Sequence, residues 1–277
     1  MIVARFGGSP SSWAAAYQFP TTLMEDSWKI VRRPPIQQVG GAGGVFDYFS
    51  TTAAPPQYIV VQKKFALTAA SSSALDDARD TLVAATIKLG NDNLWWMDRD
   101  TSTTYWAHAK CTSFDCSESY QEKGRWLKKV ELEFMCNEGL WYGGNIKTYT
   151  DTGISGSPSA HTVGTNAGNY PAMVIAGVTA RGSTATGTTK INCQLASPGT
   201  ISCDLTATIA QDSGFGVNSF TYSATNGAAD AYANFAMSGP TRLCWLWLDP
   251  GSNIMNFTIS STTYDVGVSW YDTYVAI

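Results

Sequence analysis

LWLDPGSNIMNFT, residues 246–258, sets two apolar runs on either side of Asp249-Pro250-Gly251-Ser252-Asn253, the most polar and turn-prone five residues of its neighbourhood. Proline fixes φ, glycine permits φ > 0, and an asparagine side chain can tie back to its own backbone. Residues 246–258 therefore read as strand, turn, strand: a hairpin corner rather than a ligand site. Trp245 and Trp247 share one face of the first strand, and a sandwich buries one face of each strand. This predicts that the two indoles belong to the core.

Working outward, residues 146–277 show no helical period. AMVIAGVTA, TKINCQLA, GTISCDLTATIA, RLCWLWLD, NIMNFTIS and DVGVSWYDTYVA are short runs bounded by turn residues, which predicts an antiparallel β-sandwich over 170–277. A hairpin around Ser197-Pro198-Gly199 that pairs Leu195 with Ile201 places Cys193 opposite Cys203. Residues 146–169, which include TDTGISGSPSAHTVGTNAGN, are rich in Gly, Ser, Thr and Asn and read as a linker holding His161.

The first half, 1–145, mixes strands with one helix. The pattern Ser73-x-x-Asp76 is a variant capping box, and acids follow in the opening turns. Leu75, Ala78, Leu82, Val83, Ala85, Ile87 and Leu89 form an apolar stripe that Gly90 stops, which predicts a helix over about 73–89. YIVVQKKFAL (58–67), NLWWMD (93–98), YWAHAKCTSF (105–114) and WLKKVELEFMC (126–136) read as strands. The last alternates from Val130 to Phe134, with Glu131 and Glu133 toward water. Gly40-Gly41-Ala42-Gly43-Gly44 lacks the Gly-Lys-Ser/Thr of a phosphate cradle and reads as a loop.

Composition narrows the function classes. Charged residues are 14 %, below the ~25 % of an average soluble domain. A net charge of −4 does not suit a nucleic-acid binder. The longest purely apolar run of the second half, Leu243–Leu248, falls far short of the ~20 residues needed to span a membrane. The start, MIVARFGGSPSSW, lacks the pattern of a secretory signal, so the chain is expected in the cytoplasm unless a larger assembly carries it out. Six cysteines are then expected as free thiols. His108, Cys111, Cys116 and Cys136 are the strongest metal candidate, but His108 and Cys111 have opposite strand parity. Small buried hydrophobes are the expected reading, with no metal and no cofactor.

Catalysis has little to work with. Only His108 and His161 could serve a Ser-His-Asp triad, and no G-x-S-x-G elbow is present. The basic run Lys123–Lys129 is neutralised by Glu118, Glu122, Glu131 and Glu133, which predicts a solvated turn and strand edge. Trp245, Trp247, Trp270 and Tyr271 could form a sugar platform, although core burial is the expectation for them.

The order Leu248-x-Pro250-Gly251-x-Asn253-x-x-x-Phe257, followed by Val266, Val268, Trp270 and Tyr274, resembles the C-terminal galectin-like β-sandwich of distal tail proteins from long-tailed, siphovirus-type bacteriophages. The first half is similar to that family's N-terminal ring-forming domain in its order of elements. The resemblance implies a structural virion protein: a homohexameric ring between tail tube and tail tip or baseplate, through which DNA passes. It implies as partners the tail tube protein, a tail-tip or baseplate hub protein and the tape-measure protein, with no membrane and no specific nucleic-acid contact. It implies a place at the virion tail tip, reached by assembly in the host cytoplasm, and no enzymatic activity. Animal galectins grip sugar with His-x-Asn-x-Arg; here His161 lies in HTVGT, so the likeness is one of shape. The rival functions are a carbohydrate-binding sandwich module or a receptor-binding baseplate accessory protein.

Overall fold

The structure is a computed structural model that describes residues 2–8, 16–22, 24–32, 36–38, 45–47, 56–87, 91–97, 103–136, 138–195, 199–239 and 245–275. The glycine cluster 40–44, Leu89, Gly90, Ser197, Pro198 and Cys244 lie outside them. The chain divides into two units, Met1–Gly144 with Val275–Ile277, and Asn145–Tyr274.

The first unit is built on one antiparallel sheet in the order Tyr17–Gln18, Ile2–Phe6, Asn91–Met97, Thr104–Cys116, Arg125–Cys136, Pro56–Ala69, Glu25–Arg32. The two longest neighbours pair Val130 with Phe65 and Phe134 with Val61. Directly opposed residues share a face, so the alternation of both strands feeds one apolar layer. Phe6 stands 5.0 Å and Phe19 5.9 Å from Phe134, ring to ring. Burying each such ring contributes about 1.5–3 kcal/mol.

The helix runs Ser72–Thr86. Its cap is Ser71, whose hydroxyl accepts from the Ala74 N–H at 3.2 Å, and not Ser73 as the capping pattern predicts. Three consecutive serines offer three caps, and only the placement of Leu75 and Leu82 against the sheet selects among them. Leu75, Leu82 and Thr86 are buried, while Ile87 stands past the last turn and is 43 % exposed. Among the described residues no helix is long and apolar enough to cross a membrane.

The second unit is an antiparallel sandwich. One sheet runs Lys147–Ile154, Tyr264–Trp270, Ala172–Ala180, Gly214–Asn218, Ser223–Asn226, Ala229–Asp230, with Trp247–Leu248 also paired to Ala172–Ala180. The other runs Ser159–Asn166, Gly251–Thr258, Thr188–Gln194, Ile201–Thr206, Phe235–Ser238. Val174, Val178, Ile191, Phe257, Val266, Val268 and Trp270 meet in one core between them.

Three expectations are corrected here. Residues 146–169 are not a linker: they supply an edge strand to each sheet. Edge strands expose one face, so the polar half of KTYTDTGI and SAHTVGTN is solvent-facing alternation rather than loop composition. The Asp249–Asn253 corner is not a hairpin. Trp247–Leu248 pairs with Ala172–Met173 in one sheet, while Gly251–Thr258 pairs in the other, so the turn carries the chain across the sandwich. Third, Cys193 pairs with Ile201 and Cys203 with Ile191, two residues away from the predicted register. A shift of two preserves every face.

Candidate functional site

The corner itself is held by one amide. Asn253 Oδ1 accepts from the Asp249 N–H at 2.8 Å, and its Nδ2 donates to the carbonyls of Asp249 (2.8 Å) and Gly251 (2.7 Å). Asn253 is 3 % exposed, and Gly251 has φ +100, which a side chain would strain. Asn166 braces the same turn from outside, donating to the carbonyls of Leu248 and Tyr170. Leu248, Phe257, Val266, Val268 and Trp270 are buried in the core, so the motif residues build the sandwich and do not present a ligand site. Pro250 is exposed and bridges to Asn166.

Trp245 and Trp247 correct their expectation. They do share a face, but Leu246 and Leu248 take the core side and are fully buried, leaving both indoles only partly covered. Relative parity was legible; which parity points inward was not.

His161, expected in the linker, sits on the Ser159–Asn166 strand and is nearly buried. Its Nδ1 lies 3.0 Å from the Tyr149 hydroxyl and 3.4 Å from Asp151, and its Nε2 lies 2.7 Å from Ser159 Oγ. Asp151, His161 and Ser159 thus have the order of a catalytic triad, but the hydrogen-bond directions oppose that use. Tyr264 Oη donates to the Gly156 carbonyl at 2.9 Å, so it accepts from Ser159 at 2.5 Å. Ser159 then accepts from Nε2–H, and Nδ1 accepts from Tyr149. In that arrangement Nε2 donates to the serine instead of accepting from it. The network fastens the strands Lys147–Ile154 and Ser159–Asn166, one from each sheet.

A second buried polar pair lies in the first unit. Lys63 shares the inward parity of Ile59, Val61 and Phe65 and is 0 % exposed; its ammonium lies 3.2 Å from Asp26, whose side chain is 4 % exposed. The other Asp26 oxygen accepts from the Val3 N–H at 2.8 Å. The rings of Phe19 and Phe65 lie 5.4 and 5.8 Å from the ammonium, close enough for cation–π attraction. Parity alone signals an inward lysine; its partner, distant in sequence, carries no signal.

The basic run is a solvated turn but not a strand edge, because Arg125–Cys136 is paired on both sides. Lys123 and Gly124 both have positive φ and close a tight hairpin, and Lys129 is exposed. Lys128 is buried and donates to Asp76 of the helix at 2.6 Å. That bond holds the Asp76 carboxyl below its ordinary range.

Among the described residues no group of three or more His, Cys, Asp or Glu side chains could hold a metal ion. His108 is exposed against Trp106, while Cys111 and Cys136 are buried on the apolar side. Burial pushes the Cys111 thiol up to about 11 and raises Cys136 and Cys193 in the same direction. In the folded chain at pH 8, maleimide should modify Cys136, Cys193 and Cys203 at least about a hundredfold more slowly than in denaturant. With Cys193 and Cys203 diagonal rather than opposed, their Cα atoms stand about 7–8 Å apart, beyond ordinary disulfide reach. Mass spectrometry after mild oxidation should therefore find no Cys193–Cys203 link; a ready link would restore the register read from sequence.

What remains open is surface. The first unit carries a groove of about 390 Å³ lined in part by Glu25, Lys64, Asp115, Lys129 and Glu131, with Lys64 and Glu131 3.0 Å apart. On the second unit, Gly267, Gly177 and Gly216 occupy one rung of three adjacent strands, beside the exposed Ile175. Both are open to solvent; the first is lined largely by charged side chains, the second by glycines and small residues.

No family model matches the chain, and no curated protein is similar to it. Among solved structures it is similar to the SPP1 Dit protein, described as a paradigm of the hub adsorption apparatus in phages infecting Gram-positive hosts. The TM-score is 0.59 and the identity 12 %, over 98 % of each chain. Two structures of the phage P2 baseplate in its activated conformation, with Ca and with Sr, match at TM-scores of 0.42 and 0.40. Both are 11 % identical, over 91 % of this chain and 92 % of theirs. At 12 % identity the SPP1 Dit likeness is one of fold, and it is the fold expected from the 248–257 motif.

Proposed function

We propose that this chain is a structural component of a phage tail, a distal ring that joins the tail tube to the tail tip or baseplate and lets DNA pass. One observation carries the reading: the whole of both units, 98 % of the chain, follows the fold of a phage hub protein. The buried polar groups described above bond within the chain, which suits a structural part better than a catalyst. On this reading the first unit closes a homohexameric ring, and the galectin-like sandwich projects outward. The tube protein, the tip or baseplate hub protein and the tape-measure protein are its neighbours. Assembly takes place in the host cytoplasm, and the finished protein resides in the virion.

Closed cyclic symmetry lets one repeated interface avoid open filaments. Light scattering on the purified chain, with and without tube protein, should give a discrete oligomer of six copies, and negative-stain images should show a ring with a central hole. A strict monomer under both conditions would overturn the proposal.

A further inference from the structure

We propose that the sandwich unit carries a binding site for a neutral saccharide in the cavity formed by Met173, Ser219, Tyr222, Trp245, Leu246 and Trp247. The inference does not depend on ring assembly. The cavity holds about 430 Å³, within the roughly 300–1,000 Å³ of ordinary ligand sites.

Its walls are aromatic for an identifiable reason. Leu246 and Leu248 occupy the core parity of their strand, so Trp245 and Trp247 are turned out of it. Trp245 is fixed on one side by stacking on Phe235 at 5.6 Å and meets Tyr222 edge-on at 5.7 Å. Tyr222 is 51 % exposed and holds φ +53, a conformation a tyrosine adopts only when its surroundings impose it. They do: Asn218 Oδ1 accepts from the N–H groups of Phe220 and Thr221, and the Tyr232 hydroxyl donates to the Tyr222 carbonyl. The loop thus spends backbone strain to keep a half-exposed ring at the rim of an aromatic cavity.

The floor adds a polar requirement. Ser219 is fully buried, and among the described residues its Oγ has no hydrogen-bond partner. A wholly apolar ligand would leave that hydroxyl unpaired, whereas a ligand with one apolar face and a hydroxylated edge would pair it. No charged side chain is among the described residues of the lining, which disfavours an ionic ligand. A pyranose ring meets both conditions: its C–H face lies on an indole, one hydroxyl reaches Ser219, and the others stay in water. Reaching Ser219 requires the 219–222 loop to yield slightly on binding, a change of ordinary size for an interface loop.

The test is titration of the full chain with neutral trisaccharides of glucose, galactose and N-acetylglucosamine at up to about 10 mM, with a polyproline peptide as comparator. Calorimetry should find at least one saccharide bound in the range of about 0.1–5 mM, as suits a small ligand with few polar contacts. Ser219→Ala should weaken it about tenfold, the loss of one hydrogen bond, while raising the unfolding midpoint, because an unpaired buried hydroxyl is removed. Trp247→Ala should weaken binding by at least as much. Ser219→Ala keeps the test decisive if the tryptophan variant fails to fold. Absence of saccharide binding, binding of the peptide alone, or Ser219→Ala binding as tightly as the parent would each overturn the proposal.

Discussion

Asp26→Ala should destabilise the first unit by about 3–5 kcal/mol, because it removes the carboxylate that pairs with the buried Lys63 ammonium. Lys63 is 0 % exposed, and the carboxylate it would lose also receives the Val3 N–H, so the substitution removes two interactions at once. Two aromatic faces at 5.4 and 5.8 Å do not replace a carboxylate. Urea unfolding measures the loss, and hydrogen exchange assigns it: protection should fall in Ile2–Phe6, Glu25–Arg32 and Pro56–Ala69 while the sandwich keeps its own. The double variant Asp26→Leu with Lys63→Met should recover most of the stability, since a well-packed apolar pair is often neutral or better than a buried ion pair. A single-variant loss below about 1 kcal/mol would mean that water reaches the pair.

The second large effect belongs to Asn253→Ala. One side chain makes three bonds to the backbone of the corner, so truncation removes all three and should cost about 3 kcal/mol. Asn253→Asp separates shape from chemistry. A carboxylate can accept from the Asp249 N–H, but it cannot donate to the carbonyls of Asp249 and Gly251, which it would face with its own charge. The aspartate variant should therefore be no better than alanine at neutral pH, despite its near-identical size. Thermal unfolding of the two variants decides the matter, and an aspartate variant as stable as the parent would show that the amide does not clamp the turn.

Much of the architecture was legible because it rests on local period. The strands around residues 58–67, 93–98, 105–114 and 126–136, the helix Ser72–Thr86 and, among the described residues, the apolar runs of the second half follow from alternation and punctuation. Each shows its period within its own residues, whatever strand it pairs with in space. The motif Leu248 to Phe257 pointed to the same fold that the SPP1 Dit likeness supports.

What sequence could not decide has one physical root: the pattern of a strand states which residues share a face, and nothing about what lies across from it. A two-residue slip leaves every face unchanged, so the pattern is blind to whether Cys203 meets Cys193 or Ile191. Trp245 and Trp247 had to share a side, but only packing against the opposite sheet made Leu246 and Leu248 the inward pair. Asp249-Pro250-Gly251 turns a chain equally well within one sheet or between two, and the pairing of Leu248 with Ala172 chose the second. Residues 146–169 look like a linker because an edge strand needs only half its positions apolar. Lys63 announced by parity that it pointed inward, but only the fold could bring Asp26 to it. Local chemistry determined the elements and their faces; register, partner and inward direction came from contacts distant in sequence, which tertiary structure alone supplies.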